Sequence, residues 1–386
     1  MSHLSGKYAI VGVGETPVGK LHGRSTMSLH LEAIADALAD AGLANHQVDG
    51  LLTNQPINDP MRSYAVVVAN AAGITRSYLT DLANGGATPV SMAQHAAMAI
   101  EAGLCETVVC VHARNMATRA ELPDHGSEIR DGYEDYDEPY GFFGAVANHA
   151  FIATRHMAQY GTTYEHLAAV AVAARKHARL TPNATRKEPM TIEDHLASRW
   201  IAEPLRLLDC SLVSDGGGAF VVTSADRAKD LPNKPVYITA MGAYHPQASV
   251  AQADELSTLG GARSSARAYR MAGIGPSDVD FAEIYDCFTI TTLVTLEDYG
   301  FCAKGEGGPF VENGGIELGG RLPVNTHGGL LSHAHVEGML HITEAVKQLR
   351  GTVEPERQVS HAEIGVVSGH GGVGSMHATL ILSSSN

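Results

Sequence analysis

The stretch NTHGGLLSHAHVEG, residues 325–338, decides how the rest of the chain is read. A Gly-Gly pair precedes His333 and His335, and an amphipathic run follows that ends at Gly351, where a glycine helix cap is expected. A looser copy, NGGATPVSMAQHAAMAIEAG, occupies 84–103 and again places a Gly-Gly pair ahead of a long run of small and apolar residues. A second match is tighter: AGLANHQVDGLLT (41–53) against AGIGPSDVDFAEIY (272–285). Gly42 and Gly273 are separated by the same interval as Asp49 and Asp280. Each unit reads as a helix (29–41; 266–272), a glycine cap, a short acidic loop and a strand (50–53; 281–285).

Two collinear matches imply a duplicated αβ unit. Apolar strands open the halves, YAIVGV at 8–13 and PVYITA at 235–240, and alternating strands and helices imply sheets covered on both faces. Residues 1–111 with 206–228 are read as the first half, 112–205 as a loop domain over the core, and 229–386 as the second half. SDGGGAFVVTS (214–224) reads as a glycine turn feeding a buried strand back into the first half. The acidic run EIRDGYEDYDEPYG (128–141) reads as solvated surface, and 164–179 as an Ala- and His-rich helix.

A net charge of −15 over 386 residues argues against nucleic acid and anionic membranes as partners, but permits a local phosphate site. The five cysteines have irregular spacing and no CxxC, which favours reduced thiols and a cytoplasmic location. MSHLSGK is no secretory signal, and no apolar run approaches the roughly 20 residues of a membrane span.

Four motifs in order, SDGGGAFVV, AEIYDCFT, NTHGGLLSHAHVEG and SGHGGVGSMHATLIL, on two duplicated halves, resemble the thiolase superfamily. Within it, the chain is most similar to the sterol-carrier-protein-type thiolases and lipid-transfer-type aldolases. The resemblance implies a five-layered αβαβα fold, a homodimer and a coenzyme A thioester substrate. CoA is then part of the substrate, with no bound cofactor. A small partner carrying an OB fold and a zinc ribbon is also expected. The site should lie where the N-termini of two central helices meet, because unpaired N–H groups there suit a thioester oxygen becoming an enolate.

The same resemblance sets the expected site residues. Gly86 stands where a thiolase has its nucleophilic cysteine, with Asn84 beside it, and no cysteine lies within 72–104. Cys105 and Cys110 read as core thiols. In AEIYDCFT, Tyr285 takes the position of a water-orienting asparagine and Asp286 the acidic one; tyrosine there can exchange a proton, or simply pack at a strand end. Cys287 has a counterpart that is not catalytic. His335 matches the oxyanion-hole histidine, with His333 as its substrate-binding neighbour. The steroid side-chain aldolases carry tyrosine at the His335 position, so histidine departs from them. The HxH pair lacks a carboxylate in helical register and is not read as a metal site. Ser368 replaces the second thiolase cysteine, His370 two residues on is expected to face the pocket as a further catalytic group, and Gly371, Gly372 and Gly374 shape the turn, Ser368, Gly371 and Gly372 being expected to contact the substrate. His149, with Tyr140 before it, is expected to line the acyl pocket.

Without an acyl-cysteine, the favoured chemistry is retro-aldol cleavage of a 3-hydroxyacyl-CoA to an aldehyde or ketone plus a shorter acyl-CoA. The alternatives are acyl transfer with Claisen chemistry, and a non-catalytic acyl-CoA-binding subunit.

Overall fold

Gly12 and Gly14 let a helix lie flat on the first strand. A Cβ at Gly12 would meet the carbonyl oxygen of Ala37 at 2.2 Å, and one at Gly14 that of Ala33 at 2.4 Å. The helix they admit, Thr26–Ala41, is capped by Ser25, whose hydroxyl accepts from the Ser28 N–H, and it presents Leu29, Ala33, Ala37 and Ala41 to the sheet. Gly42 then stops it in a left-handed conformation, φ 67°. The second half repeats the device: Gly242 would clash with Ser264 O at 2.0 Å, and Gly273 caps helix Gly261–Ala272 at φ 74°.

The computed structural model describes residues 4–56, 61–118, 138–141, 144–247, 250–374 and 376–386; most of the acidic run at 128–141 lies outside them. The strands are β1 (Tyr8–Glu15), β2 (Gly50–Thr53), β3 (Tyr78–Asp81), β4 (Thr107–Asn115), β5 (Trp200–Ala202), β6 (Leu205–Arg206), β7 (Asp215–Ser224), β8 (Val236–Tyr244), β9 (Phe281–Glu283), β10 (Ile364–Gly371) and β11 (Met376–Ser383). Among the described residues, β5 and β6 pair as a separate ribbon and the other nine form one sheet in the order β3-β2-β4-β7-β1-β8-β11-β10-β9. The halves join at β1 and β8 through two antiparallel residue pairs, Ala9 with Tyr237 and Ile10 with Val236. Outward from that seam, each half runs first strand, last strand, fourth, second. The third place is β3 in one half and a parallel bridge from Val324 to Ala282 in the other.

Alternating strand residues face two helix layers each. Ala9, Val11, Val109 and Val221 pack under helices Thr26–Ala41 and Tyr64–Ala72. Ile10, Val108, Val222, Ile238 and Leu380 face the two central helices, Thr88–Glu101 and Met339–Arg350. Ala240, Val366 and Ile381 pack under Gly261–Ala272 and Thr289–Asp298, with helices Gly144–Tyr160 and Tyr164–Leu180 completing that cluster. The result is helix, sheet, helix, sheet, helix, as expected, with the two halves of the one nine-stranded sheet forming the two sheet layers. Cys105 and Cys110 sit buried in the central core. Among the described residues, no helix is long and apolar enough to cross a membrane.

One pairing needs correction. The Gly-Gly of 85–86 abuts its helix, forming the short turn Gly85–Ala87 ahead of Thr88. The Gly-Gly of 328–329 instead opens a wide helical turn, Gly329–His333, and the glycine that abuts the helix is Gly338. The intervening residues carry His335 across the site.

The duplicated aspartates do the same job in both halves. Asp49 accepts the N–H groups of Glu106 and Thr107 at the start of β4, at 3.0 and 2.9 Å. Asp280 accepts those of Glu363 and Ile364 at the start of β10, both at 2.8 Å. Each of Asp49→Ala and Asp280→Ala is expected to cost about 1–3 kcal/mol, the cost of stranding hydrogen-bonded backbone groups. Chemical denaturation should give similar losses for the two; a neutral result at either would refute the equivalence.

Burial pushes the imidazoles of His30 and His377 down to about 3 and those of His112 and His177 down to about 4. The unfolded chain takes up these protons near pH 6.5 whereas the folded chain does not, so stability must fall as pH drops through the range 6.5 to 4. Each group costs about 1.4 kcal/mol per pH unit in that window. Calorimetric melting should show a drop in Tm between pH 7 and pH 5, and an unchanged Tm would contradict neutral burial.

Candidate active site

A Cβ added at Gly86 would lie 2.0 Å from Cζ and 2.3 Å from Oη of Tyr285. One added at Gly338 would meet Cδ2 of the same ring at 3.0 Å. Tyr285 therefore fills the space between the N-terminal ends of the two central helices. Its phenol stands where a side chain at position 86 would go.

The peptide on either side of the ring is clamped. Asn325, at φ 53°, turns its amide onto Ile284, accepting from Ile284 N at 2.6 Å and donating to Ile284 O at 2.8 Å. The Tyr285 N–H donates to Ser368 Oγ at 3.0 Å. Two of the motifs, NTHGG and SGHGG, thus hold the tyrosine that the third supplies.

Tyr285 Oη lies 3.1 Å from His335 Nε2. The other ring nitrogen, Nδ1, is 3.3 Å from Ser211 Oγ, and the His335 N–H donates to Ser214 Oγ at 3.2 Å. Burial, with the Arg114 guanidinium nearby, holds His335 down at about 3, so the ring is neutral at neutral pH. Burial, reinforced by Cys287 and Glu337, raises the phenol of Tyr285 well above its ordinary value. The pair is neutral phenol against neutral imidazole, able to pass a proton either way. Glu337 (φ 45°) adds a carboxylate at the same bend, paired with Arg114 at 3.2 Å.

His149 and His370 come together behind Tyr285, their Nε2 atoms 3.3 Å apart, and the His370 ring lies 6.3 Å from the tyrosine ring. Cys287 Sγ is 3.6 Å from His149 Nε2. Its thiol is pushed up to about 12 by burial, which argues against a thiolate nucleophile.

Other expected site residues have different work. Asp286 is fully buried, with Oδ1 accepting from Leu330 N at 2.8 Å and lying 3.3 Å from His341 Nε2. It anchors the wide turn after Gly328 and positions that loop, where a catalytic carboxylate was expected. His333 points into a separate buried cluster, its ring 5.1 Å from His327, which is 4.9 Å from His341. Burial alone would lower His327, but the carboxylates of Glu283, Glu344 and Asp286 outweigh it and raise its pKa. Asn84 is committed to its own helix start through Thr88 Oγ1 and Ser91 Oγ. Gly371 lets β10 pass close to the first-half turn, since a Cβ there would meet Asn84 O at 2.1 Å; Gly372 follows at φ 54°. Tyr140 is 90% exposed and stands outside the site.

Sequence reading missed Ser211, Ser214, Arg114, Glu337 and the Asn325 clamp. A cleft of about 420 Å³, lined by Arg175, Arg186, Met190, Cys210, Ser211 and Leu331 among others, runs up to the Ser211 hydroxyl that touches His335.

Fold and site together define a thiolase-like protein in which a tyrosine ring fills the space beside Gly86, between the two central helix N-termini. Residues 242–384 match the Thiolase C-terminal domain-like family. The 17-hydroxy-3-oxo-4-pregnene-20-carboxyl-CoA lyase of Mycobacterium tuberculosis is 42% identical over 93% of this chain and 95% of its own. The steroid side-chain-cleaving aldolase of Thermomonospora curvata is 40% identical over 91% and 92%. The acetyl-CoA acetyltransferase of Methanothermobacter thermautotrophicus is 32% identical over 97% and 99%. The solved Ltp2-ChsH2(DUF35) aldolase superposes with a TM-score of 0.91 at 38% identity, covering 99% of each chain. The chain belongs to the thiolase superfamily.

Gly86→Ala should displace the Tyr285 ring and reduce turnover at least about 100-fold, the loss expected when an acid–base group leaves its position. Steady-state kinetics, with circular dichroism to confirm folding, checks it. Full activity in a folded Gly86→Ala protein would show that the ring position is not needed.

Proposed function

We propose that the protein is a carbon–carbon lyase that cleaves a 3-hydroxyacyl-CoA by a retro-aldol reaction. The observation that carries this reading is the Tyr285 phenol in the nucleophile's place, hydrogen-bonded to His335. The two relatives at 40% and 42% identity, both named for cleavage, support it.

Tyr285 Oη accepts the β-hydroxyl proton as its own proton passes to His335 Nε2. The Cα–Cβ electron pair moves into the thioester as an enolate, and Cβ becomes a carbonyl. The enolate is held by the imidazolium just formed and by the two helix N-termini. The proton then returns through Tyr285 to Cα, giving a ketone or aldehyde and a shorter acyl-CoA. Proton and charge balance without an acyl-enzyme. Ser211 and Ser214 orient His335, Asn325 and Ser368 orient Tyr285, and the cleft with Arg175 and Arg186 offers cationic charge to the CoA phosphates.

The acyl group proposed is bulky, a steroid side chain in the manner of those relatives. The chain acts in the cytoplasm as a homodimer with a small OB-fold and zinc-ribbon partner. The Ltp2-ChsH2(DUF35) neighbour is named as such a two-protein aldolase. Size-exclusion chromatography of the chain alone and co-expressed with that partner reads both assemblies; elution as a lone monomer in both would refute them.

Tyr285→Phe should lower kcat by about 10²- to 10⁴-fold while leaving KM within a few fold. Retained kcat would remove Tyr285 from the proton-transfer role. Intact-mass measurement after incubation with acetyl-CoA should show no acyl adduct; a stable adduct on a cysteine would favour the acyltransferase reading.

A further inference from the structure

We infer that His149, Cys287 and His370 form a three-ligand site for a zinc-class divalent cation, with a fourth coordination position open. The three side chains arrive from separate elements. His149 comes from helix Gly144–Tyr160, Cys287 from the turn before helix Thr289–Asp298, and His370 from the end of β10. All three are buried, and their donor atoms lie within 4.8 Å of one another.

Two of the three donor separations match a tetrahedral site, and the third lies within 4.8 Å. Zinc bonds of about 2.0–2.1 Å to nitrogen and about 2.3 Å to sulfur place tetrahedral donors about 3.3 Å (N to N) and about 3.5 Å (N to S) apart. The two Nε2 atoms are 3.3 Å apart, and Cys287 Sγ to His149 Nε2 is 3.6 Å. Two imidazoles and one thiolate suit a borderline-soft ion and disfavour calcium or magnesium.

The surroundings prepare the ligands. His149 Nδ1 lies 2.8 Å from the carbonyl oxygen of Ala145; donating its proton there, it leaves the Nε2 lone pair free to face the site. This is the carbonyl support that metal-ligating histidines use. Thr291 Oγ1 lies 3.5 Å from Cys287 Sγ and can donate to a coordinated thiolate. Burial raises the Cys287 thiol, so a bound cation must displace its proton; the N-terminus of the ten-residue helix just after it would partly offset that cost. His370 Nδ1 is buried and, among the described residues, has no hydrogen-bond partner, so this ring is incompletely used. Three protein ligands and an open fourth position are the pattern of zinc sites that bind an exchangeable oxygen ligand.

The inference does not depend on the lyase reading, because the experiment needs no substrate. Chelator-treated holoprotein is titrated with cobalt(II) chloride alone and followed by absorption. One equivalent should bind, with tetrahedral d–d bands and a thiolate-to-cobalt charge-transfer band, and zinc chloride should displace it. Cys287→Ser should abolish the charge-transfer band with the far-ultraviolet circular dichroism unchanged. His149→Gln and His370→Gln should each weaken binding at least tenfold. No uptake by natively folded protein, or an undiminished charge-transfer band in Cys287→Ser, overturns the proposal. Should the cysteine variant fail to fold, crystals of the unaltered protein soaked in zinc chloride decide: an anomalous-difference peak between the two Nε2 atoms is expected, and its absence there refutes the site.

Discussion

One volume, bounded by Gly86, Gly338 and His335, admits a single group, and here that group is the ring of Tyr285. A side chain at 86 and the phenol cannot both be present. The bare backbone at 86 and the phenol at 285 are therefore two sides of one structural requirement. Two helix N-termini flank the ring, so a proton-exchanging oxygen sits in the positive field that a thiolate would otherwise occupy. Geometry inherited by the fold is kept while the chemistry it supports is altered.

The precision of that arrangement is borrowed from backbone clamps. Asn325 fastens the residue before the tyrosine, Ser368 fastens the tyrosine itself, and Asp286 fastens the turn that follows Gly328. Behind them, Glu283, His327, Glu344 and Arg357 form a buried charged cluster, with Arg357 2.5 Å from Glu344. Buried charges of this kind are costly unless every partner is in place. That penalty holds the loop carrying His335 to one position.

Much of this was legible in the sequence because it repeats. Gly42 and Gly273, and Asp49 and Asp280, share a spacing, and each pair proves to have one physical role, helix stop or strand-start acceptor. Tyr285, His335 and Gly86 were reachable from motif positions. The Gly-Gly pairing went astray because local composition does not say whether a glycine abuts a helix or opens a wide turn several residues before it. Asp286 reads as a catalytic carboxylate, and only tertiary structure reveals that its oxygens also accept from Leu330 and Leu331 and face His341. Ser211 and Arg114 have no signal at all, and Ser214 reads only as the start of a glycine turn. They reach the site from over a hundred residues away in the chain, and serine or arginine alone announces nothing.

The place of β7 has a consequence for how the chain is made. It lies between β4 and β1, and its register pairs Tyr8 with Ser224. In chain order β1 thus lacks its main neighbour until β2, β3, β4, β5 and β6 have been made. Its other neighbour, β8, comes later still and contributes two residue pairs. Closure over so long a separation is slow, and until it occurs β1 and β4 expose unpaired edges of the kind that template aggregation. Strand β1 is thus enclosed only after β7 and β8 have followed it, and the edge it shows until then is closed by contacts of long sequence separation.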